Sequence, residues 1–267
     1  MDVRPDQALY VLGFSLTTLE LTPDLYWLKS AEVTSSVHQS VRYWFKVIDR
    51  GDFEGTEAES NLASIEWLTP RVLAHDAAVS ALSKAAPFYP ARFGTLFSSH
   101  EAICKLLDAE SLNLTTYLAS VCGREEWGIK CIADMQISLL KYAEKEGLNP
   151  SASVTSGKDY LKSKQILKSI DGKTKHWLND LTFSIQQTLE AMFGEVVVRS
   201  RSSQSERTQQ DELISSLAVL SLQSESDKLN QWIESWNATQ FDQTGLRLEL
   251  TGPWPPYSFC PSLTGGE

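Results

Sequence analysis

The stretch that most narrows what this chain can fold into is Thr251-Gly-Pro-Trp-Pro-Pro-Tyr-Ser-Phe259. It follows Leu246-Arg-Leu-Glu-Leu250, whose alternation puts three leucines on one face of a strand and two charges on the other. Gly252 and Pro253 are predicted to end that strand. Pro255 and Pro256 fix φ and lack an N–H, so the tail is expected neither to extend a sheet nor to enter a helix. Trp254, Tyr257 and Phe259 hang from this stiff backbone, and three large aromatics are costly to leave in water. Two outcomes are open. The aromatics pack on the protein's own body and pin one domain to another, or they form an exposed polyproline-type docking peptide. The first is the expectation.

A chain of 267 residues supports two domains with separate cores. The boundary is expected near residue 123, giving domains at 1–123 and 124–251 and a clamping tail at 252–267. The net charge of −10 argues against nucleic acid as the main partner, because phosphate binding needs a basic face. No apolar run reaches the ~18 residues of a membrane-spanning helix. Met1-Asp-Val-Arg-Pro-Asp6 lacks the basic start and apolar core of a secretory signal, so a cytosolic protein is expected. Cys104, Cys122, Cys131 and Cys260 form no C-x-x-C pair and lie at no metal-ligand spacing from a histidine; free thiols follow.

Along the chain, Leu9–Leu16 is a β-prone run, residues 17–32 are turn-like, and Val33–Ile48 reads as one or two strands closed by a turn at Asp49–Asp52. A helix is predicted over Thr56–Leu68, with Leu62, Ile65 and Leu68 three apart. Thr69-Pro70 then restarts a second helix, threonine as cap and proline at its first position. That helix lines up Val72, His75, Val79 and Leu82, so His75 is expected as a hydrogen-bonded core residue rather than a base. Pro87 and Pro90 enter a predicted strand with Phe93, Thr95 and Phe97 on one side and Arg92, Gly94 and Leu96 on the other. Arg92 is expected to pair internally or cap carbonyls, with anion binding as the alternative. Ser98-Ser-His-Glu101 reads as a capping box opening a helix to Val121, stopped by Gly123.

The second half opens with a strand whose Trp127, Ile129, Cys131 and Ala133 share a face, then a short helix and a loop from Gly147 to Ser156. A long helical region follows from Gly157 to Met192, with a break expected at Asp171-Gly172. Val196–Arg199 reads as an edge strand or a helix end, and Ser200–Asp211 as a solvated polar loop. Leu217–Leu222 is a buried strand, residues 225–238 a helix with Leu229, Trp232, Ile233 and Trp236 on one face, and Leu246–Leu250 the last strand. The fold class is therefore α+β. The pattern is compatible with a small mixed N-terminal domain and a C-terminal ferredoxin-like sheet carrying an inserted helical extension, although pattern alone does not fix strand order.

Chemistry is hard to find. There is no phosphate loop, no G-x-G-x-x-G, no H-E-x-x-H and no G-x-S-x-G. His38, His75, His100 and His176 are far apart, and Glu125 and Glu126 point to opposite faces of a strand. No catalytic residue, metal ligand or cofactor site is assigned, and an enzyme is not expected.

Four stretches together resemble the gas vesicle GvpF/GvpL family. They are the closing Gly252-Pro-Trp-Pro-Pro-Tyr-Ser-Phe259, the Pro90-Ala-Arg-Phe-Gly-Thr-Leu-Phe97 signature, Glu126-Trp127-Gly-Ile-Lys130, and Gly157-Lys-Asp-Tyr160-Leu-Lys162. The opening strand and His75 also match in place. The resemblance implies motif residues Arg92, Phe93, Gly94, Thr95, Phe97, Trp127, Tyr160, Gly252, Pro253, Trp254, Pro255, Pro256, Tyr257 and Phe259. It supports the ferredoxin-like assignment and implies an accessory or minor structural protein of gas vesicle assembly in the cytoplasm. The implied partner is the small apolar shell protein (GvpA-type), with other gas vesicle accessory proteins beside it. The long helix has no evident internal use for its length, so Lys164, Lys168 and Lys175 are the candidate partner surface. A small-molecule-binding regulator is the alternative, and an enzyme without a recognisable motif a remoter one. A deep polar pocket lined by Arg92 or His75 would favour either of these.

Overall fold

The computed structural model describes residues 3–19, 22, 25–148, 157–199 and 211–263, with the side chains of 56 and 157–164 outside that set. The fold is mixed α+β with two antiparallel sheets, and it divides into two compact units. One comprises Met1–Arg124 together with Trp254–Glu267; the other is Glu125–Pro253.

The first unit is built around β1 (Gln7–Leu16), which is buried at eight successive positions and so is covered on both faces. It pairs antiparallel with β3 (Val41–Asp49), and β3 with β2 (Thr34–His38). On its other side β1 meets β4 (Phe88–Pro90) and β5 (Leu96–Phe97), giving the order β2-β3-β1-β4 with β5 beside β1. Register slips between Val11 and Gly13, a bulge that re-aims the strand. Tyr10 and Leu12 join Trp44, Val79, Leu82 and Phe88 in one core. The turn-like stretch at 17–32 is more than a connector. It holds α1 (Trp27–Ser30) and gives Leu19, Leu25 and Leu28 to that core.

One helix of this unit begins at Thr56 as expected, but ends early, and the two that follow start elsewhere than their sequence signals suggest. The break after α2 (Thr56–Ala63) falls at Ser64, whose Oγ accepts from the Trp67 N–H and caps α3 (Ile65–Ala85). Thr69 is no cap, and Pro70 lies inside α3, where it forfeits one backbone bond. The expected apolar stripe Leu62, Ile65 and Leu68 is not buried as a unit: Ile65 is 78% exposed. Likewise α4 (His100–Ser120) is capped by Ser99, whose Oγ accepts from Ala102, rather than by Ser98. Gly123, at φ +67, follows its end.

The second unit's sheet has the order β7-β8-β6-β9. β6 (Arg124–Asp134) turns Ile129, Cys131 and Ala133 into the core with Trp127 packed against them, the face expected from alternation. β8 spans Asp211–Leu222, longer than the predicted Leu217–Leu222, and β7 (Glu195–Arg199) is a strand paired antiparallel with it. α7 (Ser226–Thr244) ends at Gly245, φ +72, and β9 (Leu246–Trp254) returns. Residues 200–210, read as a polar loop, lie outside the described residues, as does the segment 149–156.

Between α5 (Met135–Lys145) and β7 runs α6 (Gly157–Phe193), 37 residues and about 55 Å long at ~1.5 Å per residue. No break occurs at Asp171-Gly172. Ile170 is buried against Tyr142 and Ala143 of α5, and Trp177 packs at the same place, so tertiary burial on both sides of Gly172 outweighs the local turn signal. Nothing stands within 4 Å of where a Gly172 side chain would begin. Gly172→Ala is expected to stabilise the protein by ~0.5–1 kcal/mol. A denaturation midpoint unchanged or lowered would contradict this.

Candidate functional site

Tyr257 of the closing tail and Phe93 and Gly94 of the Arg92–Phe97 signature meet in the first unit, around His75 and its partner Tyr10. β4 and β5 are separate short strands, not one run. Between them Arg92–Thr95 forms a turn, with the Thr95 N–H and hydroxyl both donating to the Arg92 carbonyl at 3.1 and 2.7 Å. Gly94 sits at φ +83, which explains a glycine there better than a mid-strand bulge does. Phe93 packs edge-on to both Tyr10 and His75. Phe97, buried in β5, lies opposite Leu9 of β1.

His75 comes from the buried side of α3, where its 3.6-residue stripe places it. Its Nε2 lies 3.2 Å from the Ala91 carbonyl, which can only accept, so Nε2 carries the proton. Nδ1 then accepts from the Tyr10 hydroxyl at 2.7 Å, and the Gly94 N–H reaches that hydroxyl at 3.5 Å. The Tyr257 hydroxyl sits 3.4 Å from Nε2 and shares its proton. β1, α3, the signature turn and the tail are thus joined at one imidazole. Burial lowers the His75 pKa, with the Ala91 carbonyl and Asp76 working against it and Lys46 with it. Burial raises Tyr10 and Tyr257. The three side chains therefore keep fixed protonation states near neutrality, which suits a joint and not a proton shuttle.

A pH dependence follows. Unfolded His75 titrates near its ordinary value of 6.5, folded His75 below it. The unfolded state thus binds the extra proton first, so this contribution is fully present above that value and is lost as pH falls through the lowered one. The first unit should lose stability between pH 7 and pH 5, and the slope should flatten in His75→Gln. Equal slopes in the two proteins would rule out His75 as its source.

The tail itself differs from expectation in three ways. β9 continues through Gly252 and Pro253 to Trp254, because a proline at the rim of an edge strand removes only one donor. Tyr257–Phe259 then makes a 3₁₀ turn. The most buried tail residues are Pro255 and Pro256, with Tyr257 and Phe259 partly covered, while Trp254 remains 44% exposed. Two tyrosines hold the tail by its backbone: Tyr117 donates to the Pro256 carbonyl at 3.2 Å and Tyr89 to the Pro261 carbonyl at 2.9 Å.

Beside this joint lies a half-open cleft of about 310 Å³, lined by Phe14, Tyr89, Arg92, Phe97, Tyr257 and Cys260 among others. Arg92 is exposed at its rim, with no carboxylate in ion-pair range among the described residues. Burial pushes the Tyr89 hydroxyl up to about 12. His75 does not line the cleft.

The remaining candidates scatter. Trp127 is in the second unit, its Nε1 donating to Glu125 at 3.2 Å. Glu126, on the other face of β6, is 1% exposed and held by Arg199. His38 meets Asp108, His100 meets Tyr43, and His176 meets Asp180. No three metal-ligating side chains converge among the described residues, and none of the four cysteines is in a disulfide, with burial raising Cys131 to about 12. The side chains of Tyr160 and Lys164 lie outside the described residues. Lys168 is exposed, but Lys175 is engaged by Glu212 at 3.0 Å. Part of the length of α6 also has an internal use, since Leu167, Ile170 and Trp177 pack against α5. Sequence reasoning missed the exposed apolar side chains Leu62, Ile65, Val72 and Leu73 on α2 and α3. The helical spacing of Leu62, Ile65 and Val72 suggested burial, Leu73 was assigned to no face, and only the packing shows which of them it reaches.

A family model described as "Gas vesicle synthesis protein GvpL/GvpF" matches residues 8–261. The chain is 26% identical over 224 residues to gas vesicle protein L of Streptomyces sp. (strain CB03234), covering 80% of this chain and 77% of that one. It is 31% identical over 115 residues to gas vesicle protein L of Haloferax mediterranei, covering 40% and 33%. Its fold is similar to the crystal structure of GvpF from Anabaena sp. PCC7120, with TM-score 0.63, 16% identity and 96% and 97% of the two chains covered. GvpF from Microcystis aeruginosa gives TM-score 0.62, 17% identity and 96% and 99% coverage.

Proposed function

Because the chain belongs to the gas vesicle GvpL/GvpF family, we propose that it is a cytoplasmic, non-enzymatic adaptor that binds the apolar shell protein during vesicle formation. The observation that carries this reading is the apolar stripe on α3. Ile65, Val72 and Leu73 lie seven and eight residues apart, two turns along one face, and all are exposed, with Leu62 near the end of α2. Clustered apolar exposure of this kind marks an interaction surface. A subunit that builds a water-excluding wall would aggregate if released free, and an apolar helix face on a well-charged protein is a suitable temporary partner. The stripe fits an apolar partner better than the lysine face of α6 does.

Two finer assignments belong to the same reading. The second unit is read as ferredoxin-like with α6 as its extension, supported by the chain order β6, helices, β7, β8, α7, β9 and the sheet order β7-β8-β6-β9. The tail is read as closing the first unit after the chain has passed through the second, supported by the return of Trp254 onward to the first.

Capture of the shell protein tests the surface. Ile65→Glu/Leu73→Glu should lose capture while keeping its circular dichroism and melting temperature, and Lys168→Glu should keep capture. The reverse pattern would move the contact to α6. Arg92 on the cleft rim supports a second reading, a small-molecule-binding regulator. Capture that depends on a low-molecular-weight component and is lost in Arg92→Ala would favour it.

A further inference from the structure

We propose that two copies of this chain pair through β7, edge to edge, to make one continuous sheet across a two-fold axis at Val197. β7 is terminal in the order β7-β8-β6-β9, and among the described residues no strand pairs with its outer side. Such an edge offers a row of backbone donors and acceptors, and proteins that must stay monomeric blunt it with lysine, proline or a bulge. The strand Glu195-Val-Val-Val-Arg199 has none of these within it, and Val198 is 54% exposed.

The sequence of the strand selects the occupant. Laid antiparallel against itself with Val197 on the axis, it puts Glu195 opposite Arg199 of the second copy, Val196 opposite Val198, and the same pairs again by symmetry. Both charge pairs are then of opposite sign, where a parallel or one-residue-shifted pairing matches fewer of them. Alternation places Glu195, Val197 and Arg199 on one face and Val196 and Val198 on the other. Val196 packs against the core of the second unit, so the face it shares with Val198 is the face α6 covers.

On that face, an open groove of about 280 Å³ is lined by Phe183 and Gln186 of α6 with Val198 and Ile214. Phe183 is 57% exposed, an aromatic on an otherwise polar outer side of the helix. A two-fold axis perpendicular to the sheet brings the second copy's Val196 beside Val198 and its α6 alongside this one. Phe183 then lies in the seam between the two helices. Backbone pairing, charge order and the stray aromatic all call for the same isologous partner.

Sedimentation of the full chain over a wide concentration range should show a dimer, and Val197→Lys should be monomeric with an unchanged melting curve. Register is tested with Val197→Cys in a Cys122→Ser background. On the axis the two Cβ atoms lie ~5 Å apart, so a short bifunctional thiol reagent should give a covalent dimer linked at 197 to 197. A full chain that is monomeric throughout overturns the proposal. So does a dimer that survives Val197→Lys, or one whose links avoid 197. Occupation of β7 by a strand of another gas vesicle protein, in a chain that is monomeric alone, does the same.

Discussion

A Gly13→Val variant is expected to lose the first unit, recovered as aggregate or as a chain with only the second unit's melting transition. β4 crosses β1 at Gly13, paired with Pro90, and a side chain there would meet the Tyr89 carbonyl and the Phe88 ring well inside contact distance. The carbonyl is backbone and Phe88 is 1% exposed in the core, so neither obstacle can swing aside. Gly13 also has φ +152, at the bulge. Overpacking against fixed backbone costs ~3 kcal/mol or more, a large part of the ~5–15 kcal/mol that holds a typical domain. Hydrogen exchange on β1 and β3 amides would read it directly. A Gly13→Val protein whose first unit melts within a few degrees of the parent would mean that β4 is not held where it lies.

Removing the chain from Trp254 onward is expected to destabilise the first unit by ~3 kcal/mol or more, from one partly buried tyrosine ring at ~1–2 kcal/mol and two or three hydrogen bonds at ~1 kcal/mol each. The ring is Tyr257, which packs against the core of the unit; the bonds are those of Tyr117, Tyr89 and Tyr257 itself. Single substitutions grade the effect. Tyr257→Ala should account for most of it, Tyr257→Phe for ~1 kcal/mol, and Trp254→Ala for the least, because Trp254 is already 44% exposed. The loss should appear as faster hydrogen exchange in residues 88–97. If the truncated protein melts as the full chain does, or Trp254→Ala outweighs Tyr257→Ala, the anchoring described for the tail is wrong.

What could be read from residues alone follows from how far each signal reaches. Period-two alternation found the buried face of β6, and a helical stripe found His75, because both depend on neighbours within a turn or two. The tail was recognisable from its prolines, which fix backbone whatever surrounds it. Its aromatics were harder, since all three carry equal incentive to bury and only the packed surface decides that Trp254 stays out. Ser64 and Thr69, or Ser98 and Ser99, are equal as caps by composition, and the choice is made by where the following helix must lie. Asp171-Gly172 is a turn signal overruled by α5. Nothing in the apolar run Leu9–Leu16 marks Gly13, for its constraint comes from Phe88 and Tyr89 far along the chain. The same holds for the candidate site: the signature and the tail were each legible, but their meeting at His75 required the fold. The partner surface was placed on α6 by its length, and the exposed stripe on α3 carried no mark distinguishing it from core.

The most direct measurement is the solubility of the shell protein itself. Diluted from denaturant alone, an apolar shell subunit should aggregate, and light scattering follows it. With one equivalent of this chain present, the scattering should stay low and a defined complex of the two should elute together. The Ile65→Glu/Leu73→Glu variant should fail to suppress scattering while remaining folded. Scattering that rises at the same rate with and without the unmodified chain, and no complex at any ratio, would contradict the adaptor function.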